Sequence, residues 1–255
     1  MRLHKLLLLF IFTTTFLVSC SSEDDTPIAI SKVDNQKPLG SSARDLLASD
    51  QFNGLTVELI SVKGFEPKAA AIQGFKTFLE NRLNKPDGIT FNTRVVNSSN
   101  LAPFTIEEIA RLENDNRTAY NSGDEITVYI YFADGSRESD TDTEVTLGTA
   151  YLNTSIVIYE ETLRNVSNRP NSPDLSTIEN ATLNHEFAHL IGLVDIGTPQ
   201  QTPHEDTDSE GHCNVQDCLM SAAIEFGSGV INMVDNTVPK LDDLCLNDLR
   251  ANGGK

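Results

Sequence analysis

Residues 54–65 (GLTVELISVKGF) set the apolar Leu55, Val57, Leu59 and Val62 among polar neighbours and end in Gly64-Phe65. Alternation with a period of two predicts a strand. The period then changes. Ala71, Phe75, Phe78, Leu79 and Leu83 share one face at helical spacing, in a stretch that Pro67 opens and Pro86-Asp87-Gly88 stops. A second strand is expected over 89–96 (ITFNTRVV). Thr105, with Glu108 three residues on, has the spacing of a capping box ahead of a second helix. Residues 125–132 (EITVYIYF) are β-branched and aromatic almost throughout, which predicts the central strand of a sheet. The polar stretch 133–146 reads as a loop, and 150–159 (AYLNTSIVIY) as one further strand at a sheet edge.

Beyond Pro170 and Pro173, Asp174 or Ser176 is expected to cap a helix running to about Leu190. Ile178, Ala181, Leu183, Phe187, Ala188 and Leu190 form its apolar surface, and Gly192 is the expected left-handed terminator. The chain is then loop-rich until Pro239, after which LDDLCLNDLR predicts a short final helix. This order implies an α+β fold: a twisted mixed sheet with two helices and a third helix behind it, then a loop-rich C-terminal part. Residues 51–255 are taken as one domain, divided into 51–192 and 193–255; no internal repeat is visible.

The first nineteen residues are of another kind. Arg2 and Lys5 precede an apolar run from Leu6 to Val18, the pattern of an export signal and too short for a good membrane span. Leu17-Val18-Ser19-Cys20 resembles a bacterial lipobox, which implies a signal peptide over 1–19 and lipidation of Cys20. Residues 20–50 are polar, with Pro27, Pro38 and Gly40, and read as a flexible tether. The acidic run Glu23-Asp24-Asp25 resembles signals that route lipoproteins to the surface. The expected location is therefore the bacterial outer membrane or cell surface, with the lipid bilayer as a partner through Cys20.

A formal charge of −18 repels phosphate backbones, so nucleic acid is not expected as a partner. Apart from Cys20 there are Cys213, Cys218 and Cys245, an odd number for an oxidising compartment. One disulfide and one leftover thiol is the simplest arithmetic; Cys213 with Cys218 is plausible by proximity, but the sequence does not settle the pairing.

The chemistry is concentrated in NHEFAHLIGLVDIG, residues 184–197. On a helix, positions i and i+4 share a face, so His185 and His189 project side by side, with Glu186 on the flank. That is the arrangement of H-E-x-x-H, in which two imidazoles hold Zn²⁺ and the glutamate takes a proton from water. Zinc lowers the pKa of its water toward ~7 and polarises a scissile carbonyl. The other two histidines outside the signal, His204 and His212, fall shortly after this motif.

HEFAHLIGLVD resembles the elongated zinc motif of the metzincin metalloproteases, H-E-x-x-H-x-x-G-x-x-H/D. That resemblance implies a metzincin or zincin-like fold, with a third ligand after the glycine and a methionine-containing turn below the metal. Asp195 stands at the third-ligand spacing. Yet His212-Cys213-Asn-Val-Gln-Asp-Cys218-Leu-Met220 is similar to the His-Cys-x₄-Cys-x-Met run of the archaemetzincins, which implies His212 as ligand and Met220 in the Met-turn. Three neutral imidazoles leave the site at charge +2, acidifying water more than a site with one carboxylate. His212 is therefore preferred, with Asp195 as the alternative and His204 as a weaker candidate. The later Cys-x-x-Cys of that family is missing, so a four-cysteine structural zinc is not expected.

Asp206-Thr-Asp208-Ser-Glu210-Gly211 resembles the start of a Ca²⁺ loop, with Asp217 at its twelfth position, though no flanking helices support it. A solvated acidic loop is the preferred interpretation there and for Asp140, Asp142 and Glu144. The expected activity is a membrane-anchored zinc metalloendopeptidase acting on proteins or peptides with Glu186 as general base. The alternative is a surface lipoprotein that uses the fold for binding or adhesion alone; a third possibility is a zinc amidase or aminopeptidase.

Overall fold

The computed structural model describes residues 32–227 and 236–255. The expected signal segment, Cys20 and the acidic run after it lie outside the described residues. A 3-10 turn at Val33–Asn35 leads into α1 (Ala43–Leu47), β1 (Gly54–Val62), α2 (Ala69–Arg82), β2 (Gly88–Val96), α3 (Ile106–Asn116) and β3 (Glu125–Phe132). There follow β4 (Gly148–Leu152), β5 (Ser155–Ile158), α4 (Glu160–Ser167), α5 (Leu175–Leu190), α6 (Ala222–Glu225) and α7 (Asp243–Ala251).

The fold is α+β, with one mixed sheet in the order β2-β1-β3-β5-β4. Neighbours are parallel from β2 through β5, and β4 alone runs antiparallel, against β5. β3 takes the middle place its composition predicts. Its alternation divides the core: Ile126, Val128, Ile130 and Phe132 face one side, Tyr129 and Tyr131 the other. Phe75 and Leu79 of α2 and Phe187 of α5 fill the first side, where the Phe75 and Phe187 rings meet edge-on at 5.6 Å. Ile109 of α3 joins the second side. Strands covered on both faces lose the polar alternation of a one-sided sheet, which is why β3 reads as a continuous apolar run.

The capping box forms as expected: the Thr105 hydroxyl accepts from Glu108 N, and Glu108 accepts from Thr105 N. Asp174 takes the N-cap position of α5, but its side chain makes no capping bond.

Four features depart from the sequence expectation. The stretch 150–159 is a hairpin, β4 and β5, rather than one strand. Its turn is fixed by buried Asn153, which donates to Asp34 O and Ser42 Oγ and accepts from Lys37 N. The expected tether over 20–50 does not extend to residue 50. Leu46 and Leu47 of α1 lie fully buried in the core, each contributing about 1.5–3 kcal/mol by burial, a gain that average composition hides. Helix α4 was not expected; eight residues are too few to show a period, and it is held by buried Leu163 and Val166 and by Arg164 on Glu160 at 2.7 Å. The four-residue α6 was likewise invisible. Among the described residues no helix is long and apolar enough to cross a membrane.

Candidate metal centre

Helix α5 is buried along nearly all of its length, which forces its polar side chains to find partners inside the protein. His185 Nδ1 donates to Leu219 O at 2.7 Å, so the ring proton sits on Nδ1 and Nε2 presents a lone pair. Burial lowers the His185 pKa to about 4 and that of His189 well below 6.5. Both rings are therefore neutral, the state a metal ligand requires. The two Nε2 atoms lie 3.1 Å apart, closer than two lone pairs settle without a cation or proton between them.

Past the helix the chain must turn. Gly192 has φ +74°, and a Cβ there would stand 2.7 Å from Thr198 N, so only glycine fits. Val194 and Asp195 continue in left-handed backbone, and Asp195 ends exposed, outside the histidine cluster. The chain returns through an ordered loop, in which Gly211 N donates to Glu205 and Asp206 N to His212 O at 2.7 Å. This brings the His212 ring to 5.3 Å from His185, nearly parallel to it, and to 5.1 Å from His189. The structure thus brings His185, His189 and His212 together and leaves Asp195 apart.

Glu186, 1 % exposed, accepts from Ala150 N of β4 at 2.8 Å through Oε2, while Oε1 has no partner. Burial, and then the Glu225 carboxylate, push its pKa well above the usual value. Gly148 of β4 lies directly against it, and a Cβ at that position would reach 2.7 Å from Glu186 Cγ. Met220 is fully buried in the core next to Leu219, the residue that orients His185, and its carbonyl accepts from Cys213 N at 2.7 Å. An orphaned carboxylate oxygen beside three inward-facing imidazoles fits a divalent cation with nitrogen preference.

A fourth residue joins the three histidines: Glu225, on α6, belongs to the same converging group of donors. Nothing in the sequence singled it out, because its approach depends on the short α6.

A second group converges on the other side of the His212–Cys213 peptide bond. Cys213, Cys218, Cys245 and Asp242 place their donor atoms within 4.8 Å of one another, and all three cysteines are free thiols rather than a disulfide pair. Hydrogen bonds from Cys213 and Cys245 lower the Cys218 thiol below its ordinary value. The sequence expectation concerned four cysteines; here three thiols are joined by a carboxylate. Asp242, three residues before Cys245, supplies the fourth donor as a carboxylate. His204 lies beside this group, its Nε2 3.5 Å from Cys245 Sγ, and not with the other histidines. The acidic residues of 206–210 and 140–144 belong to neither of the two groups found among the described residues.

No protein-family model matches the chain, and no curated protein does. Among solved structures, the chain is similar to archaemetzincin from Methanopyrus kandleri at 15 % identity and a TM-score of 0.49, over 78 % of this chain and 96 % of that one. It is also similar to metalloproteinase-II from Bacteroides fragilis at 16 % identity and a TM-score of 0.41, over 81 % of this chain and 53 % of that one.

Proposed function

We propose that the protein is a zinc-dependent metallopeptidase, an endopeptidase of zincin type, tethered to the cell surface through Cys20. One observation carries the activity: the free Glu186 Oε1, buried and unpartnered, on the same helix as two of three imidazoles whose donor atoms converge. His185, His189 and His212 would hold the ion. When bound, Zn²⁺ supplies Lewis acidity, polarising a substrate carbonyl and lowering the pKa of water.

The rest is the work of this chain's side chains. Leu219 O holds the His185 ring in the tautomer that aims Nε2 inward. Ala150 N anchors one oxygen of Glu186, leaving the other to accept a proton from the attacking water and hand it to the leaving amine. β4, the antiparallel edge of the sheet, runs beside that carboxylate and offers an extended peptide a strand to pair with. The thiol cluster fits a second, structural Zn²⁺, held by Cys213, Cys218, Cys245 and Asp242.

The test is incubation of the zinc-loaded protein with an unfolded protein and with short blocked peptides, products being followed by mass spectrometry. Cleavage inside the chains, abolished by chelator and restored by Zn²⁺, is expected. Intact substrates throughout would leave the binding-protein interpretation; release of terminal residues only would make it an exopeptidase. Metal analysis should find two zinc ions per chain, and one in Cys245→Ser. Attachment through Cys20 predicts that Cys20→Ala is released from membranes into the soluble fraction.

A further inference from the structure

The position of Glu225 has no place in the hydrolysis just described. Its Oε2 lies 2.8 Å from His212 Nε2, yet that nitrogen makes no hydrogen bond; the atoms are close without being aligned on one another. His212 Nδ1 lies 3.2 Å from Glu210 O, which places the ring proton there and leaves Nε2 as a lone pair. A lone pair and a carboxylate oxygen at that separation repel unless a cation sits beside both. Two ligands of a single ion have this relationship: near neighbours, each directed at a third point. One carboxylate oxygen of Glu225 is within 4.8 Å of a ring nitrogen of each of the three histidines.

Nor is Glu225 a surface acid that happens to lean inward. Its side chain is only 14 % exposed. Leu147 N donates to its backbone carbonyl at 2.9 Å, and the adjacent Ile224 is buried in the core, so the backbone of α6 is pinned against the start of β4.

We infer that Glu225 is a fourth protein ligand of the zinc, closing in the resting protein the coordination position that hydrolysis needs open. Hydrolytic zinc sites keep three protein ligands and leave one place free, whereas sites with four protein ligands are closed. A His₃Glu set makes the resting protein latent. Substrate must displace the carboxylate, which can leave by rotation about its side-chain bonds while α6 stays in place. This rests on His185, His189 and His212 being a zinc site.

The experiment compares the full protein with Glu225→Ala and the isosteric Glu225→Gln, each loaded with Zn²⁺ or with Co²⁺ as a spectroscopic substitute. Chelator competition should show zinc at the histidine site held at least about tenfold more weakly in Glu225→Ala. The cobalt absorption should change with the altered ligand set, and acetohydroxamate, which needs open positions, should bind the variant at least about tenfold more tightly than the wild type. Glu225→Gln should shift all three readouts in the same direction. Sulfur-to-cobalt charge-transfer bands count the thiol centre separately. Unchanged affinity, spectrum and hydroxamate binding in both variants overturn the inference while leaving the histidine site standing. If His189→Ala binds as much zinc as the wild type, the site itself is wrong and this inference fails with it.

Discussion

Gly148 and Glu186 touch through a missing side chain: a Cβ on Gly148 would stand 2.7 Å from Glu186 Cγ and 2.9 Å from its Oε1. Both distances are shorter than a Cβ tolerates from a non-bonded neighbour. In Gly148→Ala the carboxylate must move, and a displacement of about 1 Å in a reacting group costs on the order of 10²-fold in rate. Peptide hydrolysis should fall by about that factor while zinc content, measured on the same preparation, stays unchanged.

Glu186→Gln keeps the shape and the acceptor for Ala150 N but removes the base. The expected loss of cleavage is about 10²–10⁴-fold, with zinc retained. Cleavage at the wild-type rate would end the proposed role of Glu186.

His212 and Asp195 compete for the third place in the sequence, and the geometry separates them. Replacing His212 by Ala should weaken zinc at the histidine site by more than the ~10–100-fold typical of residues that merely support a ligand. Asp195→Ala, exposed and apart, should leave it unaltered. Equilibrium dialysis against a graded chelator distinguishes the two, and equal retention in both variants would sink the assignment of His212.

Away from the centre, Glu160 is fully buried; burial first, and then Glu179, push its carboxyl up to about 8, against the pull of Arg164. A carboxyl raised in the folded state binds its proton more tightly there than in the unfolded chain. Its stabilisation is complete below the ordinary value near 4.5 and is lost as pH rises toward 8. The urea midpoint should therefore fall between about pH 5 and pH 8. Glu160→Gln, neutral at every pH, should flatten that fall; an identical slope in the variant would assign the effect elsewhere.

Lys85 ties the N-terminal segment to the domain. Its Nζ donates to the carbonyls of Asp45, Ala48 and Phe52 at 2.7, 2.5 and 2.7 Å. Lys85→Met leaves those acceptors without the ammonium and should destabilise the protein by about 2–4 kcal/mol in urea unfolding.

What the sequence shows and what it hides follow physical lines. Long periodic elements are legible: α2 and α5 by their apolar faces, β3 by its β-branched run, α3 by its capping box. His185, Glu186 and His189 are legible because a helix converts their spacing directly into geometry. His212 needs a long loop to return, so its position follows from no local rule. Glu225 and Asp242 carry no pattern at all, since carboxylates are common and only tertiary packing of α6 and α7 brings these two to donors distant in sequence. Helix α1 was concealed by averaging over a polar stretch, although Leu46 and Leu47 sit adjacent in it.

His212 turns toward the imidazoles and the very next residue, Cys213, toward the thiols, while Cys213 N is bonded to Met220 O. A single peptide bond thus joins the two groups of converging donors. On the proposed assignment, a metal held by the thiols would also fix the backbone that aims His212, so that filling one site would prepare the other.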